Sequence, residues 1–437
     1  MLTRQLIIAA TSVLGTAAFA TAADRGPNVV LIISDDHAWT DYGFMGHRHI
    51  RTPNIDRLAS QGLVFKHGYV PSSLCSPSLA SILTGLYPHQ HRVTSNDPPL
   101  PPGKSGQAAL RDPTYLAQRQ EVIGYFDQVP SLPRLLAGQG YASFQAGKWW
   151  GGSFRRGGFT EGMTHGEPQR GGRHGDEGLK IGRETMRPVL DFIDRSAEAG
   201  KPFFLWYAPM MPHSPHNPPD RILVKYRDAA QSLEEAKYWA MCEWFDETCG
   251  ELLGRLDARG IADETMVVFL ADNGWIQDPT ADRYAPRSKQ SQYDGGLRTP
   301  IVVKWPGKVR PALSDRPVLS IDLAPTILAA AGLKPAPGML GINLLDESAV
   351  SRRTTIFGEI FTHNAVDIHR PAASLRYRWA LSDNLKVILP ARQNTPEGTV
   401  ELYNLAVDPF ETHNLAATNP AEVDRLTKLT DAWWAAD

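Results

Sequence analysis

Short unbroken apolar runs alternate along this chain with stretches in which apolar residues recur every three or four positions. Asn28–Ser34 (NVVLIIS) is such a run, and it leads straight into Asp35-Asp36. A strand covered on both faces of a sheet reads this way, because neither face meets water. Lys201–Tyr207 (KPFFLWY) and Met266–Ala271 (MVVFLA) repeat the pattern, and Ile301–Lys304 is a shorter copy. Helical patterns lie between them. Thr52 and Pro53 open TPNIDRLASQ with an N-cap residue and a proline at the first helical position. A second helix start is expected over Pro77 to Thr84, just after Cys75. Glu234–Arg259 carries Ala240, Met241, Trp244, Phe245, Leu252, Leu253 and Leu256 at helical spacing and stops at Gly260.

Strands alternating with helices predict an α/β fold, doubly wound around a mixed, mostly parallel sheet. After about residue 346 the pattern changes to short strand-like pieces, Arg378–Leu381 and Leu385–Leu389, then ELYNL and a final helix. The expected organisation is a main domain over 24–345 and a small C-terminal α+β domain over 346–437. Leu86–Gln120 and Gly151–Asp176 are rich in Pro, Gly and polar residues and are expected to be surface excursions.

The first 23 residues read as a signal peptide. Arg4 supplies the positive start, Leu6 to Phe19 are almost all apolar or small, and Ala20-Thr21-Ala22 has the form of a cleavage site. The run is shorter than the ~20 residues a membrane span needs, so export is expected rather than anchoring. That places the protein outside the cell or in the periplasm, with no stable membrane insertion. The 437 residues are 42% hydrophobic and 21% charged, with a net charge of −2. That balance is globular, with no basic excess to hold nucleic acid. Of the three cysteines, Cys242 and Cys249 are two turns apart on one helix, roughly 10 Å and too far to bridge. Cys75 remains as an odd cysteine in an exported chain.

Ligands collect at the carboxyl ends of strands in open α/β sheets. Two strands here end in Asp35-Asp36 and Asp272-Asn273. Three carboxylates and one amide oxygen form a hard-oxygen set that suits Ca²⁺ or Mg²⁺. Either pair alone would read as a turn or helix cap.

A third motif adds to these pairs. Cys75-Ser76-Pro77-Ser78 is followed by Leu79 and then by Thr84-Gly85. With NVVLIISDD, TGLYPHQH, GYASFQAGKW, APMMPHSPHNPP, ADNG, SKQSQYDGGLRTP and ELYNLAVDPFETHNLA, it resembles the type I sulfatases of the alkaline phosphatase superfamily. The resemblance covers nearly all of the chain after residue 23. It implies hydrolysis of a sulfate ester, a carbohydrate by analogy. It implies that Cys75 is oxidised to formylglycine by a formylglycine-generating enzyme. The hydrate of that aldehyde supplies the nucleophile and touches a metal, usually calcium, held by Asp35, Asp36, Asp272 and Asn273. Lys148 and Lys289 match the lysines that hold the sulfate oxygens. His213 matches the histidine beside the leaving-group oxygen, and Asp272 would help activate the hydrate.

These roles suit the reaction. Sulfate ester cleavage develops negative charge on the sulfuryl oxygens and on the departing alkoxide. A cation and two ammonium groups meet the first need, and a donated proton the second. His216 shares the loop of His213 and is a candidate substrate contact. His89 and His91 either line the cleft or solvate a loop. Two positions depart from the family pattern: Leu79 stands in place of the signature arginine, and Trp150 in place of a histidine. Arg155, Arg156 and His174 are candidate substitutes. A shift toward phosphodiesters or phosphonates, and an inactive protein that binds sulfated glycans, stay open as alternatives.

Overall fold

The computed structural model describes residues 26–166 and 172–436; the expected signal peptide lies outside them. Fourteen strands are assigned among these residues. They are β1 (Asn28–Ser34), β2 (Leu63–Phe65), β3 (Gly68–Tyr69), β4 (Ala142–Gly147), β5 (Glu161–Gly162), β6 (Phe203–Ala208), β7 (Thr265–Ala271), β8 (Ile301–Lys304), β9 (Ala312–Ser314), β10 (Val318–Leu319), β11 (Thr355–Phe361), β12 (Leu375–Ser382), β13 (Leu385–Pro390) and β14 (Glu401–Asn404). Eight of them form one sheet in the order β5-β4-β6-β1-β7-β8-β2-β9. Its pairings are parallel except for those of β8, which runs against both β7 and β2. The fold is α/β, built on this mixed, mostly parallel sheet, with a small antiparallel sheet of β11, β12, β13 and β14 towards the C-terminus.

All seven residues of β1 are buried, and the reason is visible in which layer each side chain joins. Val29, Leu31 and Ile33 pack with the helices Cys75–Thr84, Leu132–Ala137 and Leu323–Ala330. Val30 and Ile32 pack on the other face with the helices Pro53–Ser60, Arg187–Ala199 and Leu233–Ala258. Alternate side chains thus enter two separate cores, which is why the strand has no polar face.

The register brings the functional segments together. Ser34 of β1 lies beside Ala271 of β7, so Asp35-Asp36 and Asp272-Asn273 leave the sheet side by side. Gly147 of β4 lies beside Ala208 of β6, so Lys148 and the segment carrying His213 leave at the same edge. Gly147 has φ +95°, and a Cβ there would sit 2.0 Å from the Ala208 carbonyl oxygen. Only glycine allows this approach, which turns the Lys148 N–H onto that oxygen at 2.6 Å.

The C-terminal sheet is packed against the main sheet's side of the molecule. Ile356, Ile360, Trp379, Leu381, Ile388 and Tyr403 share an apolar cluster with Tyr69, Val70, Tyr87, Leu297, Leu319 and Ile321. The Glu359 N–H also donates to the Pro71 carbonyl at 2.8 Å.

Three expectations change. Leu86–Gln120 is not one surface excursion: residues 86–98 are almost wholly buried, and the helices Pro88–His91, Gly106–Leu110 and Pro113–Gly124 lie within the segment. Pro88 and Pro113 open two of these helices, and the Asp112 side chain caps the last one. Gly151–Asp176 also contributes structure, since β5 extends the large sheet and Phe154 and Phe159 enter the core. The helix expected from Pro77 begins at Cys75 and is buried along its whole length. All three cysteines are free. Among the described residues no helix is long and apolar enough to cross a membrane.

Candidate active site

Asp35, Asp36, Asp272 and Asn273 are buried at the strand ends, and Cys75 and Lys148 are buried with them. Asp36 is placed by an unusual backbone: its φ is +58°, the left-handed region that a non-glycine residue adopts at a cost. Its N–H donates to Asp272 Oδ1 at 3.2 Å. Asp36 Oδ1 accepts from Asn273 Nδ2 at 2.7 Å. Cys75 is the first residue of its helix, and its Sγ donates to Asn273 Oδ1 at 3.4 Å. Ligand atoms of Asp35, Asp36 and Cys75 lie within 4.8 Å of one another.

Two ammonium groups close over the carboxylates. Lys148 Nζ donates to Asp35 Oδ1 at 2.8 Å and lies 3.7 Å from Asp272 Oδ2. Lys289 Nζ donates to Asp36 Oδ2 at 2.6 Å. The turn carrying Lys289 is braced by left-handed residues on either side, Arg287 at φ +59° and Gln290 at φ +64°. It is tied to the segment before Cys75 by the Gln290 N–H on the Ser73 carbonyl and the Ser73 hydroxyl on the Ser291 carbonyl. His213 stands at the rim, about a quarter exposed, with Nε2 3.4 Å from Asp36 Oδ2. Its Nδ1 donates to the Ser214 carbonyl at 2.6 Å, because a carbonyl only accepts. Nε2 is therefore the nitrogen left to carry or release a proton.

The charges respond to this crowding. Burial raises the Asp36 carboxyl, but Lys289, His213 and Lys148 outweigh it and hold it well below the usual carboxylate range. Burial and the neighbouring Asp35 charge push Asp272 well above that range. Burial also pushes the Cys75 thiol up to about 12, against the pull of Lys148 and Lys289. An unmodified Cys75 is thus a neutral thiol, a weak nucleophile. Burial opposes charge on Lys148, and Asp35 and its other anionic neighbours more than restore it.

The donor set fits a hard divalent cation. Asp272 Oδ2 is buried and accepts no hydrogen bond, and Asp35 Oδ2 has only its ion-pair contact with Lys148. Carboxylate oxygens left in that state, beside a third carboxylate and an amide oxygen, suit Ca²⁺ or Mg²⁺.

The other candidates separate. His216 is buried against Tyr238 and Trp275, its Nδ1 lies 3.1 Å from Asp282 Oδ1, and burial pushes it down to about 4. His91 is buried and bonded to the Ser81 hydroxyl at 3.0 Å. His89 pairs with Glu359 at 2.9 Å and stacks on Trp434. Leu79 packs in the apolar cluster under the sheet. Arg156 turns to Asp127, and Arg155 lies over the Phe154 ring; neither contact involves the site. His174 does belong near it, packed edge-on against Trp150. Arg183 carries no local sequence signal, yet its guanidinium donates to the carbonyls of Met210, His213 and Pro215 and so holds the His213 loop. Nor did it reveal Asn96, whose Oδ1 accepts the Ser76 N–H at 2.9 Å.

Strand-end carboxylates, two enclosed lysines and a helix-start cysteine thus meet at one edge of the large sheet. The chain belongs to the sulfatase family: the model described as Sulfatase matches residues 27–333. A second, described as N-sulphoglucosamine sulphohydrolase, C-terminal, matches residues 287–431. The chain is 29% identical to N-acetylgalactosamine-6-sulfatase of Canis lupus familiaris over 393 residues, covering 78% of this chain and 71% of that one. It is 26% identical to a sulfatase of Formosa agariphila, covering 94% and 89%. Among solved structures, Ps i-CgsB in complex with k-i-k-neocarrahexaose has a TM-score of 0.74 at 23% identity, covering 94% of each chain. BT4656 in complex with its substrate D-glucosamine-2-N,6-O-disulfate has a TM-score of 0.71 at 18% identity, covering 94% and 98%. The phosphonate monoester hydrolase of Agrobacterium radiobacter has a TM-score of 0.66 at 19% identity, covering 94% and 96%.

Proposed function

We propose that the protein hydrolyses the sulfate ester of a sulfated carbohydrate, using formylglycine made from Cys75 and a calcium ion held by Asp35, Asp36, Asp272 and Asn273. The observation that carries this reading is the meeting of Cys75, the strand-end carboxylates and two buried lysines at one edge of the sheet. The formylglycine hydrate supplies the nucleophile, and its formation requires a transient encounter with a formylglycine-generating enzyme. The cation supplies Lewis-acid stabilisation of the sulfuryl oxygens.

The chain's own groups do the rest. Lys148 and Lys289 are placed to bind sulfuryl oxygens in a dry site, where fixed charges act strongly. Asp272, buried beside Cys75 and Asn273 at the end of β7, is assigned to help activate the nucleophile. The imidazolium form of His213 gives its Nε2 proton to the leaving oxygen, with Nδ1 kept on the Ser214 carbonyl; burial lowers the ring's pKa, and Asp36 Oδ2 at 3.4 Å from Nε2 supports the charged form. His216, expected as a substrate contact, is instead assigned to bracing the His213 loop, because its ring is buried against Tyr238 and Trp275.

The sugar assignment draws on the relatives, which are named for sulfated hexosamines and bind sulfated saccharides. The phosphonate hydrolase shares the fold alone, whereas the relatives named above by sequence are sulfatases. The leader at 1–23 supports secretion or a periplasmic location. Residues 24–345 are assigned to the catalytic domain and 346–437 to the small one.

Nitrophenyl sulfate turnover by the purified protein tests the reading. Turnover that vanishes with chelator and with Cys75→Ala is expected. Faster cleavage of a phosphodiester, or binding of sulfated glycan without turnover, would overturn it.

A further inference from the structure

Trp150 stands where the family pattern has a histidine, but another imidazole lies against it. The Trp149 N–H donates to the His174 carbonyl at 3.1 Å, which ties His174 to the turn carrying Lys148. The His174 ring meets Trp150 edge-on, with centroids 5.1 Å apart. After burial, the charges that act on it are those of Arg173, Lys148, His213 and Arg119. His174 thus shares its surroundings with two residues assigned to the sulfate and the leaving group.

Donor chemistry fixes its tautomer. Arg173 Nη1 lies 3.1 Å from His174 Nε2. A guanidinium has donors only, so Nε2 accepts. Burial and the surrounding positive charge push the ring down to about 3, so it is neutral and its one proton is on Nδ1. Nδ1 is sealed from solvent and has no hydrogen-bond partner among the described residues. A buried N–H without an acceptor is destabilising, and a ligand oxygen would satisfy it. Arg173 is itself held rigidly: its Nε donates to Asp97 Oδ1 at 2.7 Å, its Nη2 pairs with Asp97 Oδ2, and Asp97 Oδ1 also accepts the Tyr115 hydroxyl at 2.6 Å.

We propose that the Nδ1–H of His174 binds a sulfuryl oxygen of the substrate, in place of the histidine lost at Trp150, with Arg173 and Asp97 as positioning residues that set its tautomer. The proposal rests on the sulfatase reading. Asparagine places an amide N–H near the Nδ1 position, whereas glutamine reaches towards Nε2. In His174→Ala and His174→Gln, kcat/KM for nitrophenyl sulfate is expected to fall about 10- to 100-fold, the loss of one charge-assisted hydrogen bond. His174→Asn is expected to restore most of it, with thermal midpoints close to the parent's in all three. Parent-like activity in His174→Ala, or equal losses in the Asn and Gln variants, would overturn the proposal. A parent without turnover would be a failure of the sulfatase reading instead. Calorimetric titration of inorganic sulfate into the parent and His174→Ala then carries the test, and unchanged affinity overturns it.

Discussion

Cys75 Sγ lies 3.4 Å from Asn273 Oδ1 across 198 residues of sequence. The contact joins the first residue of a buried helix to the end of the central strand pair. It puts the residue assigned as nucleophile against the oxygen set assigned to the cation. Removing the thiol should therefore remove activity and leave the fold. Cys75→Ala is expected to lower turnover more than about a thousandfold. Its urea midpoint should shift by no more than about 1 kcal/mol of stability.

The carboxylates should be stabilised by the ion they bind. Calcium at a hundred times its Kd is expected to raise parent stability by about 2.7 kcal/mol, read as a rise in thermal midpoint that chelator reverses. Asp36→Asn removes one charge from the set and should abolish the calcium-dependent rise. A calcium response equal to the parent's would remove Asp36 from the site.

His213 should matter in proportion to the leaving group. Nitrophenolate leaves without a proton, whereas a sugar alkoxide does not. His213→Ala is expected to lower kcat/KM on a sugar sulfate by about 100-fold or more and on nitrophenyl sulfate far less. Equal losses on both substrates would mean that the side chain does not act as the acid.

His91 should make the fold acid-sensitive. Its Nδ1 accepts the Val93 N–H at 3.2 Å, and burial pushes it down to about 3 from an ordinary value near 6.5. The unfolded chain therefore binds a proton that the native state refuses. Stability from this group is present above about pH 6.5 and is lost progressively as pH falls toward 3. The thermal midpoint of His91→Gln should fall less steeply than the parent's between pH 7 and 5.

Lys386 is buried between Asp294 and Glu411, with Nζ 2.8 Å from a carboxylate oxygen of each. Removing the cation leaves two acids buried together. Lys386→Met is expected to cost about 3–5 kcal/mol in urea unfolding. A loss below 1 kcal/mol would show that water or the neighbouring Tyr69 hydroxyl compensates.

The parts legible from sequence were those whose cause is local. β1, β6 and β7 are buried on both faces, so their composition announced them. The acidic pairs could be read as a site because they follow those strands directly. The start of the Cys75 helix was displaced by two residues because Leu74 offers no capping side chain. β5 is two residues long, too short for any periodicity, and only its pairing with β4 defines it. Lys289 and His213 could be named only by resemblance, since neither has a local pattern that separates it from a surface residue. Arg183 and the Asp97–Arg173 pair act across separations of 30 and 76 residues in sequence. Nothing in the residues beside them signals that.

The central claim is that residue 75 carries an aldehyde when the protein is made in a host that has a formylglycine-generating enzyme. A mass spectrum of the proteolytic peptide spanning Cys75, taken on active protein, reads this directly. The formylglycine mass, with its hydrate, is expected at residue 75. An intact thiol in protein that turns over sulfate esters would contradict it.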